Sequence, residues 1–140
     1  MTSGPMDQQD SKALTSPHRF VEFISNDMLD LSRQGLTDSD MIELSRFLRE
    51  HPTVKHLNLS LNNIGDQGIA DFAERNQTVI SVNFTGNNIS DGGVAVFAYK
   101  NQVIETVNFM HNLITHQGID KFAQINETCS SSIFSAMKVH

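Results

Sequence analysis

The residues of this sequence best suited to chemistry are its histidines and its single cysteine. His56, His111 and His116 could together ligate a metal or pass a proton, and Cys129 paired with a distant histidine could act as a nucleophile. Metal ligation needs donors that converge on one point, and no second cysteine or carboxylate cluster accompanies these imidazoles. His111 and His116 share one loop region, with His56 expected two strands away. Cys129 has no local catalytic signature, and a lone cysteine is more often a small, inert hydrophobe. Gly92-Gly93 lacks the Lys-Ser/Thr of a phosphate loop, so close helix packing explains it better. The sequence therefore predicts no metal site, no cofactor and no enzymatic activity. A histidine-based metal-binding or catalytic protein stands as the weaker alternative.

The elements that would position these residues emerge when the chain is laid against itself at an offset of 25. Val54-Lys-His-Leu57-Asn-Leu59-Ser-Leu-Asn62-Asn-Ile64 returns as Val79-Ile-Ser-Val82-Asn-Phe84-Thr-Gly-Asn87-Asn-Ile89. It returns again as Ile104-Glu-Thr-Val107-Asn-Phe109-Met-His-Asn112-Leu-Ile114. Gly68, Gly93 and Gly118 keep the register, as do Phe72, Phe97 and Phe122, and Asn76, Asn101 and Asn126. A degenerate first copy begins at Leu29-Asp-Leu31-Ser-Arg-Gln34-Gly-Leu36. The period-two alternation Leu57-x-Leu59 predicts a short strand with both leucines turned inward. Asn62, Asn87 and Asn112 follow the strand, where a buried amide can pair backbone groups of neighbouring units: a structural ladder rather than a ligand site. Gly65-Asp66, Ser90-Asp91 and Thr115-His116 predict helix starts, with Ser90 and Thr115 as caps, and a two-turn helix presents Ile69, Phe72 and Ala73 inward. No such unit buries its own apolar face; stacking several does.

The pattern L-x-x-L-x-L-x-x-N-x-I followed by a D-x-G helix resembles the ribonuclease-inhibitor-like class of leucine-rich repeats. It is similar to the repeats of NOD-like receptors and of effectors from intracellular bacteria. The resemblance covers residues 28–127 and implies an α/β, right-handed solenoid of about four repeats, with short parallel strands on the concave side and helices on the convex side. Repeats are expected at 29–56, 57–81, 82–106 and 107–131. The first has the family's usual length of about 28 residues. The next three are each three residues shorter, which predicts shorter helices and a flatter array.

The ends read differently. Residues 1–15 lack periodicity and are expected to be disordered. Residues 16–27 are expected to form an N-terminal cap, with Ser16-Pro17 starting a helix whose apolar stripe is Phe20, Val21, Phe23 and Ile24. Residues 129–140 are a degenerate fifth unit or tail. If that tail leaves the Phe109 and Phe122 layer bare, two copies could pair through the solenoid ends.

Composition narrows the partner. With 10 Lys+Arg against 16 Asp+Glu, the net charge of -6 argues against nucleic acid, which needs a basic stripe. No apolar run approaches a membrane span, no cleaved secretory signal is expected, and one cysteine cannot form an intrachain disulfide. The expected location is cytoplasmic, or, for a bacterial effector, a host cell reached without a signal peptide. The expected partner is a protein, bound on the concave face through Asn58, Ser60, Leu61, Asn83, Thr85, Asn108, Met110 and His111, with Leu61, Met110 and His111 as anchors. Asp66, Asp71, Glu74, Asp91 and Asp120 are expected to charge the helical side.

Overall fold

The computed structural model describes residues 18–134, so the expected disorder of 1–15, the Ser16-Pro17 helix start and residues 135–140 lie outside it. Six strands form one sheet in chain order: β1 Ile24–Ser25, β2 Met28–Asp30, β3 His56–Asn58, β4 Ser81–Asn83, β5 Thr106–Asn108 and β6 Ser131–Ile133. From β2 onward all pairings are parallel and equivalent residues lie side by side, as in Leu29, Leu57, Val82 and Val107. In each of β2 to β5 only the middle residue of three is buried, so the period-two expectation holds at the level of single side chains.

Four helices run between the strands: α1 Met41–Arg49, α2 Asp66–Arg75, α3 Asp91–Lys100 and α4 His116–Ile125. Each buries residues at helical spacing, such as Ile69, Phe72 and Ala73 in α2. The core is the seam between the layers. There Phe84 and Phe109, on the strand side, stack at 5.9 Å, and Phe97 and Phe122, on the helix side, stack at 6.4 Å. Edge-on contacts link the two columns, as between Phe97 and Phe109 at 5.5 Å. Such pairs add about 0.5–1.5 kcal/mol each beyond the area they bury.

Three expectations change. The helices of the short units are not trimmed to two turns: α2, α3 and α4 have 10 residues each against 9 in α1. The first unit instead carries an extra 3-10 turn, Asp38–Asp40, ahead of α1, and a longer link from α1 to β3. The premise for a flatter array therefore fails. Second, Phe20, Val21, Phe23 and Ile24 do not form a helix. A 3-10 turn, Val21–Phe23, leads into β1, which folds back antiparallel on β2 through Asn26, whose φ of 58° is left-handed. An antiparallel strand closes the edge that a parallel array leaves open. Third, β6 extends the sheet, and Phe134 stacks on Phe109 at 5.2 Å and meets Phe122 edge-on at 5.4 Å. The last aromatic layer is covered from within the chain, which removes the motive for pairing through that end.

Candidate functional site

Four sets of repeating polar side chains line this array, and each has backbone work to do. Asn62, Asn87 and Asn112 are 6%, 6% and 7% exposed. Asn87 Oδ1 accepts the Ile64 N–H of the unit before it at 2.9 Å, while its amide donates to Leu59 O and Phe84 O, both at 3.0 Å. Asn112 repeats this on Ile89, Phe84 and Phe109. Asn62 accepts from Leu36 and Gln34 and donates to Leu31 and Leu59. Each amide therefore ties two adjacent units through carbonyls and amides that a bend leaves unpaired.

At the far end of each helix, Asn76, Asn101 and Asn126 pin the link to the next strand. Asn101 Oδ1 accepts from the Val103 and Ile104 N–H groups, and its amide donates to Ile104 O at 2.9 Å. Asn76 and Asn126 close the same ring on Val79 and Cys129. Cys129 belongs to this joint. Its thiol donates to Ile104 O at 3.1 Å, and burial pushes its pKa up to about 11. A thiol held so firmly protonated is a poor nucleophile at neutral pH.

The third set was not visible from the sequence. Asp38, Asp66 and Asp91 open the helical stretches of units one to three, but their carboxylates turn to the next unit rather than to water. Asp66 accepts from Ser90 N–H at 2.7 Å and Ser90 Oγ at 2.5 Å. Asp91 holds Thr115 N–H at 2.7 Å and Thr115 Oγ at 2.5 Å, and Asp38 holds Gly65 N–H at 2.6 Å. A Cβ at Gly68, Gly93 or Gly118 would collide with the carboxylate of Asp38, Asp66 or Asp91 respectively. The D-x-G signature thus combines a carboxylate that reaches forward and a glycine that receives the one behind. Of the acidic residues expected on the surface, Asp66 and Asp91 are half-buried and connect adjacent units. Ser90 correspondingly makes no side-chain bond to its own helix, whereas Thr115 does accept from Gln117 N–H at 3.2 Å. The signal was a correlation between units, Asp66 with Ser90 and Asp91 with Thr115, rather than within one.

The fourth set falls on expected binding residues. Asn58, Asn83 and Asn108 each accept the N–H two residues on, of Ser60, Thr85 and Met110, at 3.0, 2.9 and 2.9 Å. Their carbonyl oxygens therefore shape the turn after each strand, and their amides remain for other partners. Ser60, Thr85 and Met110 sit half-buried just past the strands, where their carbonyls accept from Arg33, Leu61 and Gly86. Leu61 and His111 are exposed and occupy one repeated left-handed position, with φ of 59° and 57°, shared with Arg33 at 58° and Gly86 at 72°. Leu61 leans over the next unit: a Cβ at Gly86 would lie 2.6 Å from Leu61 Cδ2. Leu61 and His111 stand on turns two strand spacings apart, about 9.5 Å, so the structure does not bring them into one cluster.

What the sheet does bring together is a shallow groove of about 220 Å³ across its concave face. It contains Asn58, Asn83 and Asn108 but is walled by Met28, His56, Ser81, Thr106 and Ile133, and it excludes Leu61, Met110 and His111. His56 lies 3.6 Å from Asp27 at one end of it. Among the described residues no group of three or more His, Cys, Asp or Glu side chains could hold a metal ion, and His116 stands apart at the start of α4.

Residues 50–73 and 75–98 each match the family model described as Leucine Rich repeat, and the strand–turn–helix unit they span recurs across the sheet. The fold is a leucine-rich-repeat solenoid. No curated protein sequence matches it. Among solved structures it is similar to a chain titled Leiomodin-1 Actin-Binding Site 2 (ABS2), at a TM-score of 0.64 and 15% identity over 81% of this chain and 72% of that one. At that identity the likeness concerns the fold. Within the described part of this solenoid no helix is long and apolar enough to cross a membrane.

Proposed function

We propose that this solenoid is a non-catalytic protein-binding module whose partner lies along the concave strands and the turns above them. The observation that supports this is the groove. Scaffold positions repeat from unit to unit, whereas Met28, His56, Ser81 and Thr106, aligned on four adjacent strands, share no type. A position that the fold leaves unconstrained can be shaped by a ligand, and a flat hydrogen-bonding groove of this kind fits an extended polypeptide better than a small molecule. The structural neighbour is named for an actin-binding site, which is in keeping with a protein partner. The helix in every unit and the longer first unit favour the ribonuclease-inhibitor-like class.

The test is capture from a lysate with two variants of unchanged melting temperature. One changes the groove, His56→Glu with Thr106→Glu; the other changes the turns, Leu61→Asn, Met110→Thr and His111→Asn, with asparagine chosen because it tolerates a left-handed φ. Loss of one dominant protein with either variant supports the reading and assigns the surface. Capture unchanged by both refutes it.

A secreted effector acting in a host cytosol is the finer form of the same proposal, drawn from the repeat's resemblance to bacterial effectors. A translocation reporter fused to the chain tests it, and a signal confined to the producing cell overturns it in favour of action in that cell's own cytoplasm.

A further inference from the structure

We propose that the cleft between the C-terminal ends of α1 and α2 is a binding site for a phosphate group, held by Arg49 and Arg75 at its mouth and by the Ser45 hydroxyl at its floor. No residue lines both this cleft and the concave groove, so the proposal stands apart from the reading above.

A cleft opens at each joint between consecutive helices, and its composition differs each time. Between α2 and α3 it is lined by Ala73, Glu74 and Lys100, the last two joined at 2.6 Å, so its charges cancel. Between α3 and α4 it is lined by Ala98, Glu127 and Thr128, and Thr128 Oγ1 already donates to Asn101 O at 3.1 Å. Between α1 and α2 Ser45 stands in place of the alanine. There Thr78 Oγ1 donates to no described group, and Arg49 and Arg75, both exposed, flank the opening. Where Lys100 reaches back to Glu74, the matching residue behind Arg75 is Arg46, so a cation replaces the carboxylate. None of Arg46, Arg49 and Arg75 makes an ion pair among the described residues, in a chain of net charge -6.

The floor points to a ligand as well. Ser45 is 4% exposed, and its Oγ has no hydrogen-bond partner among the described residues. An unpaired buried hydroxyl costs stability, and alanine serves the other units at this place. The interior of the cleft is about 10 Å³, the space of one water-sized atom. One oxygen of a ligand fits beside Ser45 and the remainder does not, which leaves the rest of the group at the mouth between the arginines. Donors below and on both sides suit a tetrahedral oxyanion, and two guanidinium groups favour one that is doubly charged.

Arginines in a last helical turn also complement the helix dipole. That accounts for their charge but not for the unpaired hydroxyl beneath them, and α4 ends without a basic residue. The terminal carbonyls are also occupied: Arg46 O, Phe47 O and Leu48 O accept from Glu50 and His51, and Phe72 O accepts from Asn76.

Titration of the full chain with inorganic phosphate at constant ionic strength, followed by amide and guanidinium NMR shifts, is expected to show saturable changes at Ser45, Arg49, Arg75 and Thr78. Arg49→Gln or Arg75→Gln is expected to raise the dissociation constant about tenfold, while Lys121→Gln on α4 leaves it unchanged. Ser45→Ala is expected to raise the melting temperature of the free protein and yet weaken phosphate binding about tenfold, a split that a purely structural hydroxyl would not give. Tighter binding of a phosphoserine amide than of inorganic phosphate assigns the group to a modified protein partner; equal or weaker binding assigns it to the free ion. Shifts that do not saturate overturn the proposal, as does a dissociation constant indifferent to the arginine variants or to Ser45→Ala. Acetate bound as tightly as phosphate overturns it in favour of a carboxylate.

Discussion

Gly92 and Gly93 are adjacent in one helix, and alanine at the two is expected to act with opposite sign. At Gly92 the added methyl meets only ordinary contacts, Asp66 Oδ2 at 3.5 Å and Ser90 Oγ at 3.9 Å, so the backbone term dominates and Gly92→Ala stabilises by about 0.5 kcal/mol. At Gly93 the same term applies, but the methyl occupies the place of the Asp66 carboxylate. That carboxylate accepts from the Ser90 N–H and hydroxyl, at 2.7 and 2.5 Å, and cannot move without losing both. Two charge-assisted bonds, one to a part-buried amide, are worth about 3 kcal/mol together. Gly93→Ala should therefore destabilise by about 2.5 kcal/mol net. Ile89 Cγ2, 3.0 Å from the new methyl, can give by a few tenths of an ångström.

A double-mutant cycle separates collision from propensity. With Asp66→Ala already in place, Gly93→Ala has no carboxylate to displace and is expected to stabilise by about 0.5 kcal/mol, which gives a coupling of about 3 kcal/mol. Urea unfolding at low micromolar concentration measures all four corners, with the midpoint as readout and an unchanged slope as the check on cooperativity. If Gly93→Ala proves as benign as Gly92→Ala, or if its cost survives in the Asp66→Ala background, the carboxylate ladder does not join these units as described.

Asn87→Ala should cost about 3 kcal/mol by urea unfolding, since it strands the Ile64 N–H and the Leu59 and Phe84 carbonyls in a buried site; a cost below about 1 kcal/mol would show the amide to be dispensable. Ser45 stands where the other units have Ala73, Ala98 and Ala123, and its buried hydroxyl has no hydrogen-bond partner among the described residues. Ser45→Ala should therefore stabilise by about 1 kcal/mol, and a lower melting temperature would refute that. With its pKa near 11, Cys129 should react with a thiol reagent at pH 8 far more slowly than the urea-unfolded chain, and equal rates would contradict its burial. Arg19 reaches Glu43 at 2.7 Å and Asp40 at 2.9 Å. Its hydrogen bond holds the Glu43 carboxyl below its ordinary value, while at Asp40 partial burial pushes upward but is outweighed by the Thr37 N–H and Arg19. Both carboxyls are depressed on folding, so their stabilisation is present above pH about 4.5 and is lost as pH falls through the lower folded values. Arg19→Ala should lower the melting temperature at pH 7 and much less at pH 3; an equal drop at both would rule out the ion pairs as its cause.

The solenoid was legible in the sequence because each scaffold position is sampled three or four times at one spacing. Leu57, Val82 and Val107 or Asn62, Asn87 and Asn112 need no structure to be recognised as one role repeated. The N-terminal cap was misread because it occurs once. Over Phe20 to Ile24 a four-residue apolar set fits a helical stripe as well as a turn and a strand, and the left-handed Asn26 that turns the chain back occurs in no other unit. Asp66 and Asp91 were misread because an acidic residue in a first helical turn ordinarily faces water and the helix dipole. Only the paired recurrence of Asp with Ser or Thr one unit later distinguishes a connector from a surface charge.

The same logic bears on the candidate sites. A column that repeats is explained first by the backbone it holds: Asn58, Asn83 and Asn108, expected as contacts, each accept the N–H two residues on through Oδ1, while their side chains also line the groove. A column that breaks is informative when the fold does not require the break. His116 breaks the aspartate column and ends that ladder after α4, because no later unit within the described residues presents a cap to receive it. Gly92, Val96 and Tyr99 break three polar columns at once on a single helix, and Met28, His56, Ser81 and Thr106 share no residue type on four adjacent strands. The groove across the strands is thus a surface whose composition the solenoid's own packing does not dictate, and that is the ground for placing a partner there.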